Sequence, residues 1–419
     1  MGLWLANPVE QRLLVIMEAL FEDLGIRDRI CWIVSQNTDC SKISAGCTHT
    51  WDKEVAKWRG KAGADLRANG GAIPKRVFGM GLGQGIAETR RYLQSQGRHD
   101  RFLDGDILVG VYTYLNGLKR LFSKGKIDGA FIWNQWGYEN RILADLCRTY
   151  KKPCWYLEQG FLPKTLCFSR IGLYDEAHDG SSWAHEPEDD LPDQVIAEGL
   201  AGYKGSSVIE GTSEATENEL AELTAMGHPL VLVAGHLDGD SNIIFRSPEC
   251  PQNRDLLFAV CKTPGVRVLY KPHPYDNSAF AKDPDIPGGC MISSTLELAS
   301  PKVKLHQLIE LCDVLVTRNS TSGIEAIVYD KPVIHTGRAI YNVGSLSMYT
   351  PLSGMAAAVQ LMVDKPLPAR VGWEGEKLRF FRWLVRRHLY FHEDPAHPPA
   401  FRNASVKRVV EEFNAQCNT

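Results

Sequence analysis

Four short stretches place reactive side chains just beyond apolar runs. The first, AGHLDGDSN (234–242), leaves the run PLVLVAG and sets Asp238 and Asp240 on either side of Gly239. A D-x-D of this kind could hold a divalent metal, supply an attacking carboxylate, or cap a turn. The second, Lys271-Pro272-His273-Pro274, closes another apolar run. A lysine and an imidazole on a backbone fixed by two prolines suit a phosphate or carboxylate, the first as a point charge and the second as a donor. The third, Arg318-Asn319-Ser320-Thr321-Ser322-Gly323-Ile324-Glu325, lies between a strand-like run and a helix-like one. Hydroxyls and a glycine at a helix start would leave backbone amides free for an anion, a phosphate cradle without a Walker lysine. Glu325 could accept hydrogen bonds from a ribose or simply stabilise the first helical turn. The fourth, WYLEQGFLP (155–163), ends a run with Glu158, a candidate general base or acid.

Other signals fall away. GMGLGQG (79–85) does not meet G-x-G-x-x-G in either register, because Gln84 and Ile86 stand where glycines are required. It reads as a flexible loop before the helix IAETRRYL. No G-x-S-x-G, H-E-x-x-H or kinase-type set occurs. The 11 cysteines include no C-x-x-C pair, so no zinc site is expected and reduced thiols in a cytoplasmic compartment are.

These motifs need elements to present them. RICWIVSQ (29–36), ILVGVYTYL (107–115), GAFIWN (129–134) and PCWYLEQG (153–160) read as strands, with a helix over 138–150 completing a parallel strand–helix–strand unit. In the second half PLVLVAG (229–235), VRVLYKPHP (266–274), CDVLVTRNS (312–320) and KPVIHTG (331–337) repeat the pattern, with a helix over 321–329. Acidic connectors at 175–194 and 211–219 put the division near 205–225. The expectation is an α/β chain with two Rossmann-like domains, 1–215 and 216–419, whose parallel sheets face an interdomain cleft. The basic, aromatic EGEKLRFFRWLVRRHLYFH (374–392) reads as an amphipathic helix with its arginines in solvent, with an anionic membrane surface as the alternative. The last helix could pack back on the first domain.

The chain is 419 residues long, 44% hydrophobic and 23% charged, with 47 Lys plus Arg against 50 Asp plus Glu. That balance excludes the basic footprint of a nucleic-acid binder. No run of 18 apolar residues suggests a membrane span, and the N-terminus lacks the pattern of a signal peptide.

Read together, EQGFLP, the GH-x-x-x-D of GHLDGD, KPHP and CDVLVTRNSTSGIEAIVYDKPVI resemble, in this order, the bacterial capsule-polysaccharide biosynthesis glycosyltransferases of the retaining β-Kdo transferase type. The motifs span roughly residues 130–342. The resemblance implies a GT-B-like fold, the donor nucleotide in the C-terminal domain and the acceptor mainly in the N-terminal one. It implies transfer of Kdo from CMP-β-Kdo to a glycan or lipid-linked glycan in capsule or lipopolysaccharide synthesis, with no metal and no other cofactor. By position, Lys271, His273, Asn319, Ser320, Thr321, Ser322 and Gly323 would bind CMP, with Glu325 near its ribose. Asp240 would be the nucleophile and Glu158 the base, His273 assisting the departing phosphate. His236, Asp238, Ser241, Asn242, Gln159 and Gly160 would support them, and His236, Ser241 or Asn242 would keep the Asp240 pKa low. His236 stands where the family often has Gln, and Ser169 and Leu173 replace its usual Asp and Asn after EQGFLP. Cytoplasmic work with peripheral contact at the inner membrane is expected. The rival readings are a CDP-activated polyol-phosphate transferase of the teichoic-acid type, a non-catalytic nucleotide-sugar-binding partner in a glycan assembly complex, and an epimerase-like enzyme acting on a UDP-hexosamine.

Overall fold

The computed structural model describes residues 3–6, 11–34, 47–50, 81–95, 97–98, 103–125, 127–162, 164–170, 172–173, 183, 186–188, 191–206, 227–276, 278–282, 291–292, 305–393 and 397–417. The chain divides into two compact units. Unit 1 spans Met1–Ala177, Leu384–Pro395 and Pro399–Thr419; unit 2 spans His178–Trp383 and Ala396–Pro398. The division therefore falls at 177/178, against the 215/216 read from the sequence, and the chain's end belongs with unit 1. The connector 211–219 and residues 62–80 lie outside the described residues.

Unit 1 opens with β1 (Leu3–Ala6), α1 (Gln11–Asp23), β2 (Ile30–Val34) and β3 (Cys47–Thr50). Two helices follow, α2 (Gly81–Ser95) and α3 (Leu103–Ser123). Then come β4 (Ile127–Trp133), α4 (Gly137–Thr149), β5 (Cys154–Gln159) and β6 (Thr165–Ser169).

Unit 2 begins with α5 (Asp193–Ser206), β7 (Leu230–Ala234), α6 (Ser241–Arg246), α7 (Asn253–Val260) and β8 (Arg267–Lys271). It continues through α8 (Ala279–Lys282), β9 (Met291–Ile292), α9 (Leu305–Leu311), β10 (Val314–Thr317), α10 (Ser322–Val328) and β11 (Val333–His335). It closes with β12 (Met348–Tyr349), α11 (Met355–Asp364) and α12 (Trp373–Trp383). The chain returns to unit 1 as β13 (Leu389–Phe391) and α13 (Pro399–Cys417).

The sheet of unit 1 runs β13-β6-β5-β4-β1-β2-β3, parallel from β5 to β3 and antiparallel at β6 and β13. One core joins Met17, Leu20 and Phe21 of α1 to Phe131, Trp155 and Phe168 of the strands and Phe413 of α13. A second joins Val111, Leu118 and Phe122 of α3 to Ile127 and Ile132 of β4 and Leu143 and Leu146 of α4. Arg408 of α13 donates to the carbonyls of Phe168, Arg387 and Leu389, which ties the returning segment to β6.

Three expectations fail here for physical reasons. ILVGVYTYL is helical, not a strand: Ile107, Val111, Tyr114, Leu118 and Phe122 are buried at helical spacing, and the wider period overrides the β-branched run. GLGQG is the first turn of α2, not a loop. A Cβ on Gly85 would lie 2.8 Å from the Tyr138 Cα, so that glycine lets α2 approach α4. The 374–392 segment is no single helix. It passes from α12 through a π-helical turn (Leu384–His388) into β13. Arg382 is fully buried, donating from Nε to the Leu191 carbonyl at 2.6 Å and from Nη2 to Asp193.

Unit 2 carries a wholly parallel sheet in the order β12-β11-β10-β7-β8-β9. Its central strands β7, β8 and β10 are buried along their whole length, as β-branched runs covered on both faces require. From β7 the chain winds through β8 to β9 in one direction; β10 starts on the other side of β7 and winds through β11 to β12. The topological switch point therefore lies between β7 and β10, and ligands of open α/β sheets bind beyond the carboxyl ends of such strands. Among the described residues, no helix is long and apolar enough to cross a membrane.

Candidate active site

The switch point of unit 2 brings together the residues that follow β7, β8 and β10. β7 stops at Gly235, whose amide donates to the Lys271 carbonyl at 2.8 Å. A Cβ there would sit 2.8 Å from the Tyr270 hydroxyl, so the strand ends can draw close only with glycine at this position. The next residue is clamped by one side chain: Asn253 accepts from the His236 amide at 2.9 Å and donates to its carbonyl at 2.7 Å. Both ring nitrogens of His236 are enclosed without a hydrogen-bond partner, and burial, with Arg318 and His273 nearby, holds its pKa well below the usual value.

The two aspartates have different work. Asp238 Oδ1 accepts from Arg318 Nη2 at 2.7 Å and from the Asn253 amide at 3.1 Å, bridging the ends of β7 and β10. Asp240 caps α6, its Oδ1 accepting from the Asn242 amide at 2.7 Å. Burial raises the Asp240 pKa; the Asn242 amide, His273 and Arg318 oppose the rise without cancelling it. The expected lowering is thus overturned, because desolvation outweighs the donors.

From β8 come Lys271 and His273. Lys271 is 6% exposed, and burial brings its pKa down to about 8. His273 is half-buried, its Nδ1 accepting from the Tyr275 amide at 3.2 Å. Burial lowers its pKa, while Asp240 and Asp276 pull it back up. The imidazole therefore stands in the field of the Asp240 carboxylate across adjacent strand ends.

The segment after β10 departs from a cradle of free amides. The amides of Ser322 and Gly323 already donate to Ser320, at Oγ (3.2 Å) and at the carbonyl (3.0 Å). Gly323 faces an aromatic ring: a Cβ would lie 2.4 Å from the Tyr341 Cζ, and the Tyr341 hydroxyl donates to the Ser320 carbonyl at 2.9 Å. What this segment offers is side chains. Thr321 is exposed, Asn319 Nδ2 donates to the Asn242 carbonyl at 3.3 Å, and Asn319 Oδ1 and Ser322 Oγ are enclosed without partners. Glu325 shares the field of Tyr203 on α5, and burial pushes its carboxyl up to about 7. Thr336 Oγ1, just beyond β11, is also buried and unpartnered. Buried polar groups without partners are rare in proteins, and their gathering at one sheet edge fits a polar ligand.

Sequence reasoning missed Arg318 and Asn253 as organisers. Arg318, fully buried, donates to Asp238, to Asn253 Oδ1 at 2.9 Å and to the Pro251 carbonyl at 2.8 Å. The only signal was an arginine directly before NSTSG. Glu158, Gln159 and Gly160 lie in unit 1. Glu158 is the penultimate residue of β5, its Oε1 accepting from the Gln159 amide at 3.0 Å. Gly160 is a turn glycine, its amide donating to the Thr165 carbonyl at 2.9 Å where an added Cβ would collide with Thr165. Among the described residues, no group of three His, Cys, Asp or Glu side chains could hold a metal ion.

Two α/β units with mainly parallel, Rossmann-like sheets, one with a polar strand-end crevice at its switch point, define a GT-B-like chain. Residues 188–358 match the family described as capsule polysaccharide biosynthesis protein. Among solved structures, KpsC of Thermosulfurimonas dismutans, a beta Kdo 2,7 transferase, is 18% identical over 77% of this chain and 96% of that one, with a TM-score of 0.41. Its beta Kdo 2,4 transferase counterpart is 17% identical over 56% and 79%, with a TM-score of 0.40. The S. aureus MnaA–UDP structure is 11% identical over 100% and 97%, with a TM-score of 0.38. No curated protein matches the chain.

Proposed function

We propose that the protein is a retaining glycosyltransferase of capsule polysaccharide synthesis, moving Kdo from CMP-β-Kdo to a glycan or lipid-linked glycan. The observation that carries this reading is the unit 2 switch point, where the capped carboxylate of Asp240 shares a strand-end edge with His273 and Lys271. The six cysteines whose side chains are described are free thiols, in keeping with work in a reducing cytoplasm.

In the first displacement an Asp240 carboxylate oxygen attacks the anomeric C2. The C2–O bond to phosphate breaks, and its electron pair leaves with CMP. Lys271 and His273 meet the departing phosphate charge, the first as ammonium and the second as an N–H donor. Glu158 then takes the acceptor hydroxyl proton as that oxygen bonds to C2 and the Asp240 ester bond breaks, so the configuration is retained through an oxocarbenium-like state. Cytidylate leaves as an anion, so a nucleophile, a base and a phosphate clamp complete the chemistry without a metal.

Incubation with CMP-Kdo and, separately, with CDP-glycerol tests the donor. Consumption of CMP-Kdo alone, undiminished by EDTA, is expected. Consumption of CDP-glycerol would establish the polyol-phosphate reading instead, and loss of activity in EDTA with recovery in Mg²⁺ would return the two aspartates to a metal.

A further inference from the structure

A second charged site lies at the opposite end of the unit 1 sheet from Glu158. Where α4 ends and β5 begins, a cavity of about 300 Å³ is lined by Arg148, Lys151, Lys152, Cys154, Tyr156 and Arg170. Arg148 pairs with Asp145 of its own helix at 2.8 Å. Lys151, Lys152 and Arg170 have no carboxylate partner among the described residues, so positive charge is left in excess around the cavity while the chain as a whole carries −3. Cations at a helix C-terminus offset its dipole, which accounts for Arg148 and the lysines just after it. It does not account for Arg170, which arrives from the end of β6 with its guanidinium carbon 5.6 Å from the centre of the Trp155 ring. Tyr156 adds a hydroxyl that stays protonated, because burial pushes its pKa up.

We propose that this cavity binds a phosphoryl-bearing anion, at a site separate from the donor crevice of unit 2. A single carboxylate would neutralise one of these cations. A phosphoryl group presents several oxygens and more than one charge, which two lysine point charges and an arginine fork can meet together. The volume suits a pyrophosphate or a phosphorylated headgroup. The same chemistry could come from a soluble phosphoanion or from an anionic lipid.

Cys154, half-buried on the cavity wall, is a built-in reporter. Full-length protein would be alkylated with iodoacetamide, and the Cys154-containing peptide followed by mass, with inorganic pyrophosphate, phosphatidylglycerol vesicles or phosphatidylcholine vesicles present. Saturable protection of about tenfold is expected, fading as ionic strength rises from about 0.05 to 0.5 M because the cations are largely exposed. Protection by phosphatidylglycerol but not phosphatidylcholine vesicles, exceeding that by pyrophosphate at equal phosphate, identifies the lipid headgroup; protection by pyrophosphate alone identifies a soluble ligand. The variant K151Q/K152Q/R170Q should lose the protection and keep CMP binding. Arg170→Gln alone should lose about threefold, which preserves the test if the triple variant folds poorly. Absence of protection by every probe, or equal protection in wild type and variants, overturns the proposal.

Discussion

The two sheets fill their carboxyl edges differently. In unit 1 the helix after β4 starts with its groups already taken. Glu88 of α2, 6% exposed, accepts from the Gly137 amide at 2.9 Å and pairs with Arg141 at 2.8 Å. Thr89 accepts from the Tyr138 amide at 3.0 Å, and Asn140 donates to Trp133, Asn134 and Trp136. The protein's own carboxylate occupies the place an anion would take. In unit 2 the corresponding edge keeps His236, Asn319, Ser322 and Thr336 with buried atoms lacking partners, and holds Asp240, Lys271 and His273 at shifted pKa values. The same layered fold thus closes the start of α4 with its own carboxylate, and in unit 2 leaves a strand-end edge with buried polar atoms that a ligand could meet.

The contrast can be broken most severely at Asp240. Asp240→Ala should lower transfer by at least about 10³-fold while CMP binding, measured by calorimetry, stays within about threefold. Equal loss of both would make Asp240 a structural cap and no nucleophile. The mirror experiment is in unit 1. Glu88→Ala removes one partner of a buried pair and uncaps α4, so chemical denaturation should show a loss of about 3–5 kcal/mol, with CMP affinity in the surviving folded protein unchanged. A fall in CMP affinity would mean the start of α4 also serves the donor. The smallest effect is a proton. In the free protein Lys271 titrates at about 8 because of burial, and a phosphate beside it would favour the ammonium. The complex then holds more protons than the free protein above pH 8, so CMP affinity should change little between about pH 7 and 8 and fall by up to about tenfold per pH unit above it. Lys271→Met should weaken CMP about tenfold at pH 7 and abolish that slope.

Much of the open edge was legible because strand ends announce themselves. PLVLVAG, VRVLYKPHP and CDVLVTRNS are apolar runs bounded by glycine, proline or hydroxyl residues, and each became a buried strand with its motif at the carboxyl end. What sequence could not show were pairings made only by the fold. Arg318 and Asp238 stand 80 residues apart and meet because β10 lies beside β7. The glycine of NSTSG looked like an anion glycine; Tyr341, brought in from beyond β11, explains it instead. The Asp240 pKa went the other way for a similar reason, since burial is a property of the packed unit and not of its neighbours in sequence. In unit 1, α3 was misread because a continuous apolar run does not distinguish a buried strand from a well-covered helix.

The central claim is that Asp240 attacks the sugar. Intact-protein mass after mixing with CMP-Kdo in the absence of acceptor tests it directly. A mass gain of one Kdo residue, mapped by peptide fragmentation to Asp240 and absent from Asp240→Ala, is the predicted result. CMP release without any adduct, or an adduct on another residue, would contradict it.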